Sequence, residues 1–395
     1  MLIEDAGFDN LLTDDPLYAV IGGDLGQELD DDQATILSTF LSEMQQLGTA
    51  GIWNVDHFMA LFGMSDPRFV RAMVTALLGF IEASEADAVV DFWNPYACIA
   101  ARVAGRPLIT VIQSDIHPQS NGFMWWRDPP PQIPTPLGAA NEVRAEFGLP
   151  AVGSIGELLL GDLTLLVGIP ELDPLPDTAD VTYVGAVLWQ RHDADPPAWA
   201  GDLDPATPVV WLYPGKLRYA PMGLTTSFDS AVVLEACVEA LADEPLQVVL
   251  TTGHHELPPE FASLPTNFRH EPYVPGLWMA DRSDLLIHHS GYGSCQTGLY
   301  AGTPALIIPT YSERESNARR IAAQGAGDLV LPATDVSGTN KHVRPEEVRA
   351  KVFEILADPS FTENARRVSA LLRTYGGAAE AASSIERFLG SRPGS

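Results

Sequence analysis

A chain of 395 residues is long enough for two or three domains of about 150 residues each. Its 52 acidic residues against 23 lysines and arginines give a formal net charge of −29 at pH 7. A surface of this sign repels the phosphates of nucleic acids and anionic lipids, so we expect neither as a partner. No apolar run approaches the roughly 18 residues of a membrane span, and the first residues lack a signal segment, so we expect a cytoplasmic protein.

The cysteine and acidic patterns give no reason to expect a disulfide framework or a metal site. Cys98, Cys237 and Cys295 are scattered and surrounded by small or apolar residues, which is typical of buried free thiols. The acidic run at 30–32 is typical of a solvated surface, and we expect no bound metal there or elsewhere.

In the first half of the chain, short apolar runs alternate with helical patterns, which predicts parallel sheets built from βαβ units. We predict strands at 88–90, 108–112, 165–168 and 181–187, and helices at 67–84 and 97–104. The run at 18–22 (YAVIG) is a further candidate strand. These elements predict a first domain over residues 1–191.

A stretch rich in proline and aspartate, residues 192–207, predicts a linker to the second half. Beyond it we predict strands at 209–212, 248–252, 268–271, 285–287, 305–308 and 329–330, and helices at 230–241, 295–300, 317–324, 345–357 and 383–389. The sequence therefore predicts a second α/β domain over 208–375, followed by a terminal helical segment, 376–395.

The segment from 285 to 327 carries the strongest functional signal. An apolar strand ends in His288 and His289, a turn of small residues follows at 290–294, and a helix then opens. Free backbone N–H groups and the helix dipole point at one spot in such an arrangement, which favours an anion. The histidine adds a hydrogen-bond donor beside that spot. The pattern predicts a place to hold a diphosphate.

Three motifs in this segment resemble those of the UDP-glycosyltransferase-like family of GT-B glycosyltransferases, especially its bacterial members acting on natural products. The family carries patterns close to HGGxGT, GxP and DQxxNA. This chain has, in the same order, HSGYGS at 289–294, GTP at 302–304 and ERESNA at 313–318. Similarity extends to 184–187, 209–216, 247–252, 273–275 and 376–379. The resemblance implies an α/β GT-B fold of two Rossmann-like, doubly wound domains that face a cleft, with the final helix packing back on the first domain.

The resemblance also implies an activity. It predicts a metal-independent, inverting enzyme that moves a sugar from a UDP- or dTDP-sugar to a hydroxyl of a hydrophobic small molecule. The nucleotide sugar is then a co-substrate, no separate cofactor is expected, and the protein would be a monomer or homodimer. Two alternatives stay open: a non-catalytic GT-B protein that binds a nucleotide or a partner, and a sugar-nucleotide epimerase.

On the donor side, the resemblance places His289 against the diphosphate. Gly291 and Gly293 would let the backbone approach phosphate without a Cβ in the way, and Ser294 would direct its N–H and hydroxyl at it. A histidine satisfied at the strand end and an ordinary tight turn are the structural alternatives for these positions. Tyr273 and Pro275 lie where the family wraps the base, and Gly215 and Lys216 lie where it approaches the diphosphate.

The third motif departs from the family in its charged residues. Glu313 stands where the family has Asp, and it would accept hydrogen bonds from the sugar hydroxyls. Arg314 replaces the usual Gln and has no acceptor, so sugar recognition must differ at this position. A solvated charge cluster is the alternative for both. We predict that Asn317 caps the helix that follows.

On the acceptor side, Asp91 resembles the family carboxylate that orients a catalytic histidine. This sequence lacks the family's N-terminal strand and the loop with that histidine, so we expect Asp91 to act without it or not at all. Asp115 and His117 follow a strand and could serve as the general base, which contributes roughly 10² to 10⁴-fold to such rates. Trp93, Asn94, Phe123 and Trp125 could line the acceptor site, with ordinary core packing as the alternative.

Overall fold

The computed structural model describes residues 15–21, 24, 26–48, 52–123, 133–189, 196–215, 231–253, 255–334 and 341–392. Two of the predicted site residues, Trp125 and Lys216, lie outside these ranges. The chain divides into two compact units. The first consists of Met1–Leu47, Val55–Ile112 and Pro131–Thr164, and the second of Gly48–Asn54, Gln113–Pro130 and Leu165–Ser395. The predicted domain boundaries at 191, 208 and 375 stay predictions.

The first unit is mostly helical around one pair of parallel strands. Its elements are α1 (Pro16–Ile21), α2 (Asp31–Gly48), α3 (Val55–Met59), a π-helical turn (Ala60–Met64), α4 (Pro67–Ala83), β1 (Val89–Asp91), α5 (Pro95–Val103), β2 (Leu108–Ile112), α6 (Leu137–Glu146) and α7 (Ile155–Leu158). β1 pairs with β2 in parallel, from Val89 opposite Leu108 to Asp91 opposite Thr110. In its core, the ring of Phe69 stacks on Phe40 with centroids 4.7 Å apart.

The predicted strand at 18–22 is wrong, because Pro16–Ile21 is the helix α1. A short apolar run fits either structure, and the residues before it decide here. Asp15 accepts a hydrogen bond from the Tyr18 backbone N–H at 2.8 Å, and Pro16 occupies the first turn. Both are helix-start signals. Among the described residues, the first strand along the chain is therefore β1.

The second unit holds the larger sheet. Its elements, apart from short 3-10 turns at Ser114–Ile116, Ala198–Asp202 and Pro259–Phe261, are β3 (Leu163–Val167), β4 (Thr182–Gly185), β5 (Val209–Tyr213), α8 (Ala231–Leu241), β6 (Gln247–Thr251), β7 (Phe268–Glu271), α9 (Gly276–Ala280), β8 (Leu285–His288), α10 (Tyr292–Ala301), β9 (Ala305–Ile307), α11 (Ser312–Ala323), β10 (Gly327–Leu329), β11 (Ala333–Thr334), β12 (Lys341–His342), α12 (Pro345–Ala357), α13 (Pro359–Leu372) and α14 (Ala378–Gly390). Only the last three residues of β3 belong to this unit, where they pair in parallel with β4.

Six of these strands form one parallel sheet in the order β10-β9-β8-β5-β6-β7. Helices cover both faces. One face packs α8 and α12 against residues such as Val210 and Leu250, and the other packs α9 to α11 and α13 against residues such as Leu286 and Ile307. The sequence-based expectation of a doubly wound α/β sheet is confirmed for this unit. None of the helices in the described ranges is both long and apolar enough to cross a bilayer.

Candidate functional site

The strand order of the large sheet reverses between β5 and β8, and this determines where a ligand would bind. From β5 the chain proceeds outward through β6 and β7, then returns to β8 on the other side of β5. At such a switch point the loops leaving the carboxyl ends of the two strands diverge and leave a crevice. Tyr213 and His288, which end the two strands, lie opposite each other in the register. His289 and Gly215 therefore emerge at the crevice.

The imidazole of His289 is held between two glycines. A Cβ added at Gly215 would lie 2.7 Å from its Nδ1, and one added at Gly291 would lie 2.6 Å from its Nε2. Gly215 also has φ +93°, a conformation that disfavours other residues. The ring of Tyr213 meets the imidazole edge-on at 5.6 Å. Packing of His289 is thus sufficient to require glycine at both positions, whether or not phosphate approaches Gly291.

His289 is buried, and the Tyr213 carbonyl is a weak backbone acceptor for its imidazole. Its exposure is 7%, and Nδ1 has no hydrogen-bond partner of good geometry among the described residues. Burial, with repulsion from Arg314 and His288, holds the pKa of His289 well below its usual value. The ring is therefore neutral at pH 7 and carries one N–H.

The turn after His289 contains a strained residue. Ser290 has φ +69°, where the family pattern has glycine, and a left-handed serine costs on the order of 1–2 kcal/mol. Its N–H donates to Nδ1 of His288 at 3.0 Å, and its carbonyl accepts from Nδ2 of Asn317 at 3.2 Å. His288 itself is fully buried, which lowers its pKa to about 3. These bonds hold the backbone of the turn in place.

The helix α10 begins directly after this turn, with Gly291 at its N-cap and no capping side chain. The N–H groups of Tyr292 and Gly293 open this helix without a helical acceptor, whereas the Ser294 N–H donates to the Gly291 carbonyl at 2.9 Å and is not directed at phosphate as predicted. Gly293 lies in that turn, and a Cβ added there would meet nothing within 4 Å. Internal packing does not require glycine at this position. Ser294 follows in the same turn, half-buried.

The helix α11 brings Glu313 and Arg314 into the same unit as His289. The Glu313 carboxylate is buried and accepts a hydrogen bond from Asn317 at 2.6 Å. Burial raises the pKa of Glu313 to about 7, against the opposing effects of Arg314 and Asn317. The Arg314 guanidinium lies 4.5 Å from the ring centroid of Tyr311 and donates to the Thr310 hydroxyl at 2.5 Å. Arg314 is thus a fixed cation near the histidine and not a solvated surface charge.

The predicted capping role of Asn317 is wrong. The helix α11 starts at Ser312, so Asn317 is its sixth residue. The N-cap is Tyr311, which makes no side-chain capping bond. Likewise, α10 starts three residues before its predicted first residue, 295. Neither helix carries a polar capping side chain, which is the signal by which sequence reasoning locates a helix start.

A buried ion-pair cluster adjoins α11, and sequence reasoning missed it. Arg320 forms a salt bridge with Asp115, lies 3.4 Å from an oxygen of Asp173, and donates to Oδ1 of Asn317 at 3.2 Å. Ser114 also donates to Asp173, at 3.0 Å. Burial raises the pKa of both aspartates, to about 6 for Asp173, while Arg320 opposes the rise. Residues so far apart in the chain give no local pattern that predicts the cluster.

The remaining base candidate of this unit, His117, is arranged as a donor. The imidazole is 5% exposed, and burial lowers its pKa, so the ring is neutral at pH 7. Its Nδ1 accepts a hydrogen bond from the Gln119 N–H at 3.2 Å, which leaves the proton on Nε2. Phe123, predicted to line the acceptor site, is buried in the same segment.

In the first unit, Asp91 lies at the end of β1, 6% exposed. Burial raises its pKa to about 6, although it accepts hydrogen bonds from the Asn94 N–H at 3.1 Å and the Cys98 thiol at 3.4 Å. Asn94 caps α5 by accepting from two backbone N–H groups. Trp93 has φ +65°, and its ring meets that of Phe58 edge-on at 5.2 Å. The three predicted residues are thus grouped around one strand end.

The proposed base-binding residues lie in the loop before α9. Pro275 is buried as the N-cap of that short helix, and Tyr273 is half-buried. Among the described residues, no group of three or more His, Cys, Asp or Glu side chains is arranged to hold a metal ion.

The second half of the chain matches a known family. Residues 235–386 match the family described as "Erythromycin biosynthesis protein CIII-like, C-terminal domain". A 4'-demethylrebeccamycin synthase from Lentzea aerocolonigenes is 30% identical over 235 residues, which cover 58% of this chain and 51% of that protein. A PGL/p-HBAD biosynthesis glycosyltransferase from Mycobacterium tuberculosis is 28% identical over 331 residues, or 76% and 70% of the two chains.

The fold of the chain matches solved structures of glycosyltransferases. The calicheamicin glycosyltransferase CalG4 matches with a TM-score of 0.65 at 19% identity, over 99% of this chain and 89% of that one. The glycosyltransferase VinC, solved in complex with dTDP, matches with a TM-score of 0.63 at 18% identity, over 99% and 90%. The chain therefore has the α/β GT-B fold expected from its sequence.

Residues 235–386 match the EryCIII-like C-terminal domain, and the chain's homologues are natural-product glycosyltransferases. The resemblance read from the three sequence motifs is confirmed. The matched region spans about half the length of the rebeccamycin enzyme.

Proposed function

We propose that this protein is an inverting glycosyltransferase that moves a sugar from a UDP- or dTDP-sugar to a hydroxyl of a hydrophobic natural product. The observation that carries the proposal is the buried imidazole of His289 at the carboxyl end of β8, beside the N-terminus of α10, which no side chain caps. VinC, with the same fold, was solved with dTDP, which supports a nucleotide diphosphate as ligand. The homologues of this chain are glycosyltransferases, which supports the transfer step.

The chemistry follows from the groups at the crevice. As the acceptor oxygen attacks the anomeric carbon, the bond to the diphosphate breaks and negative charge grows on the leaving group. The neutral His289 N–H and the first N–H groups of α10 would donate to that charge without reorganising. Glu313 would accept hydrogen bonds from the sugar hydroxyls. Because burial brings the pKa of Glu313 to about 7, it is roughly half ionised at neutral pH.

Of the three predicted catalytic residues, Asp91 is the best candidate for the general base. Asp115 is ion-paired with Arg320, and the lone pair of His117 Nδ1 is already occupied. Asp91 has a pKa of about 6, so it is mostly ionised at pH 7 and can still accept a proton. We therefore assign the acceptor side to Asp91, with Trp93 and Asn94 beside it.

Other expectations remain predictions. They are a cytoplasmic location, the absence of a separate cofactor, and a monomeric or homodimeric state. A non-catalytic GT-B protein that binds a nucleotide or a partner is the second candidate, because Asp115 is ion-paired with Arg320 and the Nδ1 lone pair of His117 is occupied. Binding of nucleotide without transfer or donor hydrolysis would favour that candidate.

The test is a thermal-shift titration with UDP, dTDP, ADP and GDP on the wild type and on His289→Ala. A ligand at about 100 times its Kd adds roughly 2.7 kcal/mol to the free energy of unfolding. We expect UDP or dTDP to stabilise the wild type and to lose this effect in the variant. His342→Ala, which removes an exposed imidazole of the second unit, should behave as wild type. No shift with any of the four nucleotides would contradict the proposal.

A further inference from the structure

The side chain of Asn317 connects the turn after β8 with the first turn of α11. Its Nδ2 donates to Oε1 of Glu313 at 2.6 Å and to the carbonyl of Ser290 at 3.2 Å. Its Oδ1 accepts from Arg320 at 3.2 Å. The residue is 3% exposed, so water does not replace these partners readily. One amide therefore ties the diphosphate side of the crevice to the carboxylate proposed to hold the sugar.

The orientation of this amide is determined by its neighbours. Arginine has only donors, so Oδ1 must face Arg320, and Nδ2 must then face the two oxygens. Arg320 is itself fixed by Asp115 and by Asp173, which leaves the amide one arrangement. The two anchored groups are unusual in themselves. Ser290 has a left-handed backbone, and Glu313 is a buried carboxylate.

We propose that Asn317 is a positioning residue for the donor sugar. Arg320 orients the Asn317 amide, and that amide holds the Ser290 turn and the Glu313 carboxylate in fixed positions relative to each other. This inference rests on the proposed function, because it assumes that the site binds a nucleotide sugar. It gives the buried Asp115 a role as the anchor of Arg320, separated from the substrate by Arg320, Asn317 and Glu313.

A merely structural role predicts a different outcome from a positioning role. If Asn317 only stabilised α11, its removal would lower stability and weaken nucleotide and nucleotide sugar alike. If Asn317 positions Glu313, removing the Asn317 side chain must weaken binding of the nucleotide sugar more than binding of the nucleotide alone. Asn317 also opposes the raised pKa of Glu313, whose main cause is burial. Without the amide, the carboxylate should stay protonated to higher pH.

The experiment is calorimetric titration with UDP, UDP-glucose, dTDP and dTDP-glucose, from pH 5.5 to 8.5. The contribution of the sugar to affinity is measured by the ratio of the Kd of the nucleoside diphosphate to the Kd of the corresponding nucleotide sugar. We expect Asn317→Ala to lower this ratio about tenfold at pH 7.5, the size of one lost hydrogen bond to a charged group. We expect the pH midpoint of the ratio to move upward. Glu313→Gln should lower the ratio similarly and remove its pH dependence.

Two further variants complete the design. Ser312→Ala alters a buried hydroxyl in the same helix that makes no hydrogen bond within the described residues, and it should leave ratio and midpoint unchanged. If Asn317→Ala does not fold, the isosteric Asn317→Asp replaces the donor with an oxygen and should give the same loss. An unchanged ratio and midpoint in the folded variant would overturn the inference while leaving the proposed function intact. Failure of the wild type to bind any of the four ligands would overturn both.

Discussion

Replacing Asp91 by asparagine should stabilise the protein above pH 6. Burial raises the pKa of this carboxyl from 3.8 to about 6, a change of about 2.2 units, which corresponds to at most about 3 kcal/mol. A carboxyl whose pKa is raised on folding favours the folded state below pH 3.8, and this contribution is lost as pH rises through 6. The asparagine side chain carries no charge, so the Asp91→Asn variant does not lose stability as the pH rises through 6.

The assay is thermal unfolding of wild type and Asp91→Asn from pH 4 to pH 8. At pH 8 we expect the first unit of the variant to melt higher, by at most roughly 6–12 °C at 2–4 °C per kcal/mol. At pH 4 the two proteins should melt together. Asp87→Asn, an exposed change two residues before β1, should have no effect at either pH. An effect of Asp91→Asn that is the same at pH 4 and pH 8 would show that burial of the ionised carboxylate is not its cause. Nucleotide binding should be unchanged in this variant, while transfer falls about 10² to 10⁴-fold.

The other predictions concern the second unit. Gly291→Ala should cost about 1–3 kcal/mol of stability, because its Cβ would lie 2.6 Å from His289 Nε2, whereas Gly293→Ala should stay within about 0.5 kcal/mol. Gly293→Ala should nevertheless weaken nucleotide binding about tenfold, and unaltered binding in calorimetry would count against phosphate at that helix end. Arg320→Met should cost about 3–5 kcal/mol at pH 8, since it leaves two buried aspartates without their cation, and less at pH 5, below the pKa of about 6 to which burial raises Asp173. Urea unfolding at the two pH values would show this, and an equal loss at both would contradict it.

Sequence patterns predicted the large sheet well because its strands are continuous apolar runs between helical repeats. They failed where a local signal is ambiguous or missing. Residues 18–22 are apolar enough for a strand, and Asp15 and Pro16 decide for a helix. The helix containing Asn317 starts at Ser312 without a capping side chain, so its first residue could not be read from the sequence.

The candidate site also contains residues that the sequence predicted and residues that it did not. The position of His289 and its turn followed from strand, glycine and helix order, and the structure places them at the switch point of the sheet. The cluster around Arg320 did not follow, because Asp115 and Asp173 reach it only through the tertiary fold. The role of Gly291 was predicted as room for phosphate, and the structure adds a second cause, the imidazole packed against it. Long-range contacts of this kind leave no spacing pattern in a single sequence.

Release of nucleoside diphosphate is the direct test of sugar transfer at the crevice beside His289. Purified protein would be incubated with UDP-glucose or dTDP-glucose and a panel of hydrophobic hydroxyl-bearing aglycones, with UDP and dTDP measured over time. We predict acceptor-dependent release, with the aglycone gaining one hexosyl unit, in the wild type and in His342→Ala but not in His289→Ala. Binding of either donor with neither transfer nor hydrolysis would contradict sugar transfer and favour a non-catalytic nucleotide-binding protein.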